Sequence, residues 1–337
     1  MNRRRDEGDG GMVRGWRLMA GIAAILLAAL APAGLAQDLP QLRAAMLKTG
    51  TVNWEIATIT AQGHDRQNGF VMVVQDYADN AATRIAFAGG EADVMVADWI
   101  WVAMMRAEGR DYVFLPYSRA VGGLVVRDDS GIATLADLRG RRIGIAGGPL
   151  DKSWLILRAY ARQQYGFDLA DETEQVFGAP PLIFQAGITG ETAGAVNFWH
   201  FLARMKARGM HDLVTVAEAA AALGLDPDMP LLGYVLKGEF VRAHPEVARG
   251  LALASAAAKD RLRRDDAAWA AIRPLMNAAT EAEFVALREG YRAGIPSGGR
   301  VDRDAADRFL RLMADLGGDQ LVGKATTLPE GVFLSLD

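Results

Sequence analysis

Five tryptophans fall just after stretches that read as β-strands: Trp54, Trp99, Trp101, Trp154 and Trp199. An indole at such a place can stack on a planar or apolar ligand, or it can pack the core beneath. The clustering predicts that at least two of the rings touch ligand. Polar side chains share the same places, namely Asn53, Asp98, Asp151, Ser153, Asn197 and His200. Gly147 and Gly148 join a strand to a helix, where a bare backbone and free N–H groups could approach a ligand. Asp98, Asp151 and Ser153 read equally well as helix caps, and a cap can also touch ligand. The chemistry this set offers is reversible recognition of a small molecule.

Catalysis finds little support. The four histidines, His64, His200, His211 and His244, show no His-Glu-x-x-His spacing. The chain has no cysteine, so it has neither a thiol nucleophile nor a disulfide. No Gly-x-Ser-x-Gly elbow occurs, and Gly147-Gly148 lacks the remainder of a dinucleotide or phosphate loop. The formal net charge of -4 excludes a broad basic surface for nucleic acid. The expectation is a protein that is not an enzyme and needs no cofactor and no metal.

Apolar strand-like runs alternate with helical patterns, which predicts an α/β protein with largely parallel sheets. Strands are expected at 43–48, 70–75, 93–97 and 112–115, the last ended by Pro116, with helices at 54–61, 81–88 and 99–107. A second unit follows, with strands at 123–126, 142–146, 174–177 and 194–197, helices at 153–164, 181–186 and 198–207, and an edge strand near 213–216. A returning strand is expected at 231–236, and then a helical tail that packs on the first unit. Pro245 can open one of its helices and Asp302 can cap its last. The expected organisation is residues 37–117 plus 231–337 as one lobe and 118–230 as the other. A chain that crosses between lobes more than once makes a hinge and a cleft, and ligands of open α/β sheets sit at the carboxyl ends of strands.

Arg3, Arg4, Arg5, Arg14 and Arg17 precede an apolar run from Leu18 to about Leu30, and Gly34 and Ala36 follow. This is the pattern of a cleaved secretory signal peptide over residues 1–36, with Met1 or Met12 as its start. The apolar run, broken by Gly21, Pro32 and Gly34, is short for a membrane span. With no cysteine to accept lipid, a periplasmic protein without an anchor is expected.

Three stretches carry a family resemblance. They are Gly90-Glu91-Ala92-Asp93-Val94, the run from Leu135 through Gly144 (Leu-Ala-Asp-Leu-Arg-Gly-Arg-Arg-Ile-Gly), and Phe240–Val247 with its His244-Pro245-Glu246. In order and spacing they resemble the nitrate/sulfonate/taurine-type substrate-binding proteins of ABC importers, a group that includes thiamine-precursor binders. The resemblance implies a type II periplasmic-binding-protein fold that closes two lobes on a small ligand. It implies a monomer that hands its ligand to an ABC permease in the inner membrane. The same cleft would serve a periplasmic sensor subunit, and a pyrimidine-precursor enzyme shares a related fold. Carried over by position, the site would comprise Asn53, Trp54, Asp98, Trp99, Gly148, Ser153, Trp154, Asn197 and His200. The loops offer Asp98, Glu55 and Asp151, with Lys152 the obvious nearby cation; an unpaired carboxylate in a closed cleft would repel an anion, which favours a ligand with an aromatic or apolar body and a donor or cationic group, with a sulfonate-like ligand as the other case.

Overall fold

Strand β1 (Gln41–Leu47) lies between two parallel partners, β2 (Val71–Tyr77) and β3 (Val94–Asp98). Both of its faces are covered, so Leu42, Ala44, Ala45 and Met46 are all buried and the run shows no polar alternation. The computed structural model describes residues 39–298 and 300–335. The expected signal peptide lies outside the described residues. Among the described residues no helix is long and apolar enough to cross a membrane.

The first sheet has the order β2-β1-β3-β10-β4, with β10 at Leu232–Lys237 and β4 at Tyr112–Ser118. The second has the order β7-β6-β8-β5-β9. Its strands are β7 (Glu174–Gly178), β6 (Arg142–Ala146), β8 (Gly194–Asn197), β5 (Gly123–Arg127) and β9 (Met210–Thr215). The expectation of largely parallel sheets needs correction. β10 runs antiparallel to both β3 and β4, and β5 runs antiparallel to both β8 and β9. The reason is geometric. β5 is the first strand after the chain crosses from the first sheet to the second, and β10 the first after it crosses back. The first crossing leaves the end of β4 and the second follows β9, and β5 and β10 each begin at the side of their sheet that faces the other, so each runs against both of its neighbours.

Helices cover the sheets. Those that bear on the site are α1 (Val52–Ala61), α2 (Asn80–Gly89), α3 (Trp99–Ala107), α4 (Lys152–Tyr165), α5 (Pro180–Thr189), α6 (Trp199–Lys206) and α7 (Val216–Ala222). The tail adds α8 (Pro245–Arg264), α9 (Asp266–Met276), α10 (Glu281–Ala293) and α11 (Arg303–Gly317). Pro245 is the first residue of α8, and the Asp302 carboxylate accepts from the amides of Asp304 and Ala305 to cap α11. The tail does not confine itself to the first sheet's side. α8 and α9 pack on α1, but α10 lies along α6 and α11 touches α4. The α6–α10 approach is close because Gly290 faces an indole: a β-carbon there would sit 2.9 Å from the Trp199 ring.

Pro116 does not end β4, which continues to Ser118. β4 is the last strand of its sheet, and Pro116 pairs with Gly233 next to a register shift. At an edge the missing N–H costs no ladder bond, so proline is tolerated. Gly233 is needed for a different reason. A β-carbon on it would lie 2.3 Å from the Phe114 ring and 2.5 Å from the Leu115 carbonyl oxygen. Gly233→Ala is expected to lower stability by about 1–3 kcal/mol through overpacking, read as a lower urea midpoint at unchanged slope.

Candidate functional site

A cavity of about 410 Å³ lies between the two sheets at the carboxyl ends of their parallel strands. Its walls begin where strands stop. Leu47 closes β1, Asp98 closes β3, and Ala120, Val121 and Gly122 form the first crossing. From the second sheet come the start of α4, with Lys152 and Ser153, and the start of α6, with Phe198, Trp199 and His200. Parallel pairing aims every one of these helix starts at the same space.

One ion pair spans the cavity. Lys152 Nζ donates to Asp98 Oδ2 at 3.2 Å, joining the first residue of α4 to the last residue of β3. Asp98 also accepts from the Trp101 amide at 2.9 Å, so it caps α3 while it faces the cavity. Asp151 caps α4 in the same way, through the Trp154 amide at 3.0 Å. Burial raises the Asp151 pKa, against the lowering effect of its amide bonds and of Lys152. The carboxylate expected to repel an anion is therefore engaged on both sides. Arg84 on α2 also lines the cavity and makes no ion pair with the described residues; its guanidinium carbon lies 4.9 Å from the centre of the Trp101 ring.

The residues singled out from sequence divide sharply. Asp98, Ser153 and His200 come together on the cavity wall. Trp54, Trp99 and Trp154 are buried at 3%, 0% and 1% exposure and face the core. Trp54 packs on Trp199, Trp269 and Tyr291, and Trp99 packs on Phe309 and Phe333. Asn53 turns its amide back to the carbonyls of Leu47 and Lys48. Asn197 donates to the Pro180 carbonyl and accepts from the Phe198 amide, which holds the starts of α5 and α6 together. Gly148 adopts φ +152°, a conformation that favours glycine, in the turn before α4. None of these six lines the cavity.

Sequence reading passed over Thr51, Arg84 and Tyr117, which do line it. α2 also follows a strand, and Asp79 caps it through the Ala82 amide, so the rule that found Asp98 would have found this helix start. Tyr117 was hidden by the expectation that Pro116 ends the strand. Of the five tryptophans, Trp199 lines the cavity, and it is half-buried.

His200 is partly exposed, yet it packs among Phe198, Trp199 and Phe201. This desolvation, helped by the nearby Arg204 guanidinium, holds its pKa down at about 3. The ring is neutral wherever the protein is folded near neutral pH. Because its folded pKa is depressed, the unfolded chain takes up this proton first as pH falls below about 6.5, and His200 withdraws stability between there and about pH 3. The expected NMR result is a His200 ring signal that does not move between pH 5 and 8. A midpoint near 6.5 would mean that the ring is not desolvated.

The model of the "NMT1/THI5 like" family matches residues 51–265. No curated protein matches the sequence. Among solved structures, the chain is similar to the aliphatic sulphonate binding protein SsuA from Escherichia coli, at TM-score 0.63 and 17% identity over 86% of this chain and 97% of that one. It is similar to the alkanesulfonate-binding protein SsuA from Xanthomonas axonopodis pv. citri bound to MOPS, at TM-score 0.61 and 16% identity over 88% and 97%. An ABC transporter structure from Parabacteroides distasonis aligns at TM-score 0.66 and 15% identity over 87% and 98%. At these identities the likeness is one of fold: two α/β lobes of the periplasmic-binding-protein type.

Proposed function

The chain belongs to the NMT1/THI5-like family, and from that premise and the geometry of its cleft we propose that it is the solute-binding component of an ABC importer. It captures a small organic anion with an apolar body by closing its lobes, and it delivers that ligand to a membrane permease from the periplasm, as a monomer. The lobes meet near residues 118 and 231, where the chain crosses from sheet to sheet. The observation that carries this reading is the cavity between the sheets, spanned by Lys152 and Asp98.

The charges on the cavity wall favour an anion, not the cationic ligand expected from the sequence. Asp98 is offset by Lys152 and by the Trp101 amide, which leaves Arg84 as the cation of the cavity wall without a carboxylate partner among the described residues. An anionic head is attracted there, while Leu47, Val121, Ile156 and Trp199 suit an apolar body. Two of the structurally similar proteins are described as sulfonate-binding, which supports the same ligand class.

Binding without catalysis fits the side chains. A general base works best with a pKa near the working pH. Burial holds the His200 pKa down at about 3, and Asp98 and Asp151 are engaged as caps.

The test is thermal unfolding against sulfonates, taurine, carboxylates, nitrate, amines and aminopyrimidines. A ligand at a hundred times its dissociation constant adds about 2.7 kcal/mol of stability. Stabilisation by an organic anion is the expected result. Stabilisation by amines or aminopyrimidines alone would reverse the charge assignment.

A further inference from the structure

Glu55 is wholly buried on the first turns of α1, one turn from the cavity-lining Thr51 and Val52. A buried charge persists only when paired and hydrogen-bonded. Glu55 has an unusually full set of partners. Oε1 accepts from the Tyr234 hydroxyl at 2.8 Å and from Ser255 Oγ at 2.6 Å, and Oε2 accepts from the Tyr291 hydroxyl at 2.9 Å. The Lys259 ammonium lies 2.9 Å from Oε2 and 3.1 Å from Oε1. Lys259 also faces the Tyr117 ring at 5.0 Å and donates to Ser255 Oγ.

These partners are not a random sample of the core. Tyr234 is on β10 and Tyr117 on β4, the two strands of the first sheet that lead into and out of the crossings. Tyr291 is on α10, where the preceding Gly290 holds the Trp199 indole of the cavity wall. Tyr117 itself lines the cavity, and its ring meets those of Tyr234 and Tyr291 at 5.7 and 6.4 Å between centroids. One carboxylate thus joins the α1 wall to β10, α8 and α10, and through Lys259 and the rings of Tyr234 and Tyr291 it reaches Tyr117 on β4.

We propose that Glu55 is a positioning residue for the cleft, which fixes the first-lobe wall at Thr51, Val52 and Tyr117 by binding Tyr234, Ser255, Lys259 and Tyr291 at once. The proposal rests on the cleft being the binding site. A network that merely stabilised the fold would act on the whole unit; one that positions the wall acts on the wall first.

The experiment is amide hydrogen exchange of the ligand-free full chain, comparing wild type, the double variant E55Q/K259M and Tyr291→Phe. The double variant removes both charges and so avoids stranding either one in the core. Expected is exchange roughly tenfold faster at residues 50–56 and 117–122, with residues 41–44 of β1, in the same sheet but off the cavity, unchanged, as local opening requires. Wild-type rates at all three segments would overturn the proposal, and so would an equal rise in all three. Should the double variant fail to fold, Tyr291→Phe decides by the same comparison, because it deletes a single hydroxyl. No ligand enters the measurement. Its failure leaves the solute-binding reading standing, and a failure of that reading leaves the exchange result unaffected.

Discussion

Lys259→Met is expected to cost about 3–5 kcal/mol of folding stability, among the largest losses available to a single substitution in this chain. The ammonium is 10% exposed and its partner carboxylate 0%. Desolvation pulls the Lys259 pKa down, and the pairing with Glu55 opposes that pull. Removing the cation strands a carboxylate that still accepts from Tyr234, Ser255 and Tyr291 but has no opposite charge. Adding Glu55→Gln should recover most of the loss, because replacing both members of a buried pair is far cheaper than breaking it. Urea denaturation of the two single variants and the double variant measures this. Additive losses would mean that the pair is not coupled.

Trp99→Ala is expected to cost about 3–5 kcal/mol as well, for a different reason. The ring is fully buried against Phe309 of α11 and Phe333 of the C-terminal tail, which runs beside β4 at Phe114. Truncation opens a cavity at the joint between the first sheet and the last helix. Trp99→Phe keeps most of the packing, and its ligand affinity should match the wild type. Loss of affinity in Trp99→Phe at unchanged stability would place the ring in the binding site.

These two cases show what the sequence could and could not convey. Strand and helix positions were legible because burial on both faces leaves an unbroken apolar run, as in β1, and because caps such as Asp302 mark helix starts. Pairing was not legible. That β10 inserts between β3 and β4, and runs against both, depends on contacts far apart in the chain. Pro116 misled for the same reason, since whether a proline breaks a strand depends on whether that strand is at an edge.

The site was legible as a set of places and not as a set of faces. The loops after strands do converge on the cavity, and Asp98, Ser153 and His200 lie on it. Position after a strand does not decide which way a side chain turns. Trp99 and Trp101 are two residues apart at the start of one helix; the first is buried under α11, and the second packs between Arg84 and Tyr112. The charge of the cavity was half legible: Lys152 stands out as a nearby cation, but that it meets Asp98, 54 residues away, and that Glu55 turns into the core and away from the cavity, depend on the fold.

The measurement that bears most directly on the account is isothermal titration of the organic anion that most raises the unfolding temperature, against wild type and Lys152→Met. Loss of Lys152 leaves the Asp98 carboxylate uncompensated on the cavity wall, where it repels an anion held at Arg84. The expected result is affinity weaker by at least about tenfold, the scale of one uncompensated charge near the ligand, with the ligand-free unfolding temperature nearly unchanged. Equal affinity in both proteins, or tighter binding by the variant, would contradict an anion held at Arg84 beside an Asp98 that Lys152 neutralises.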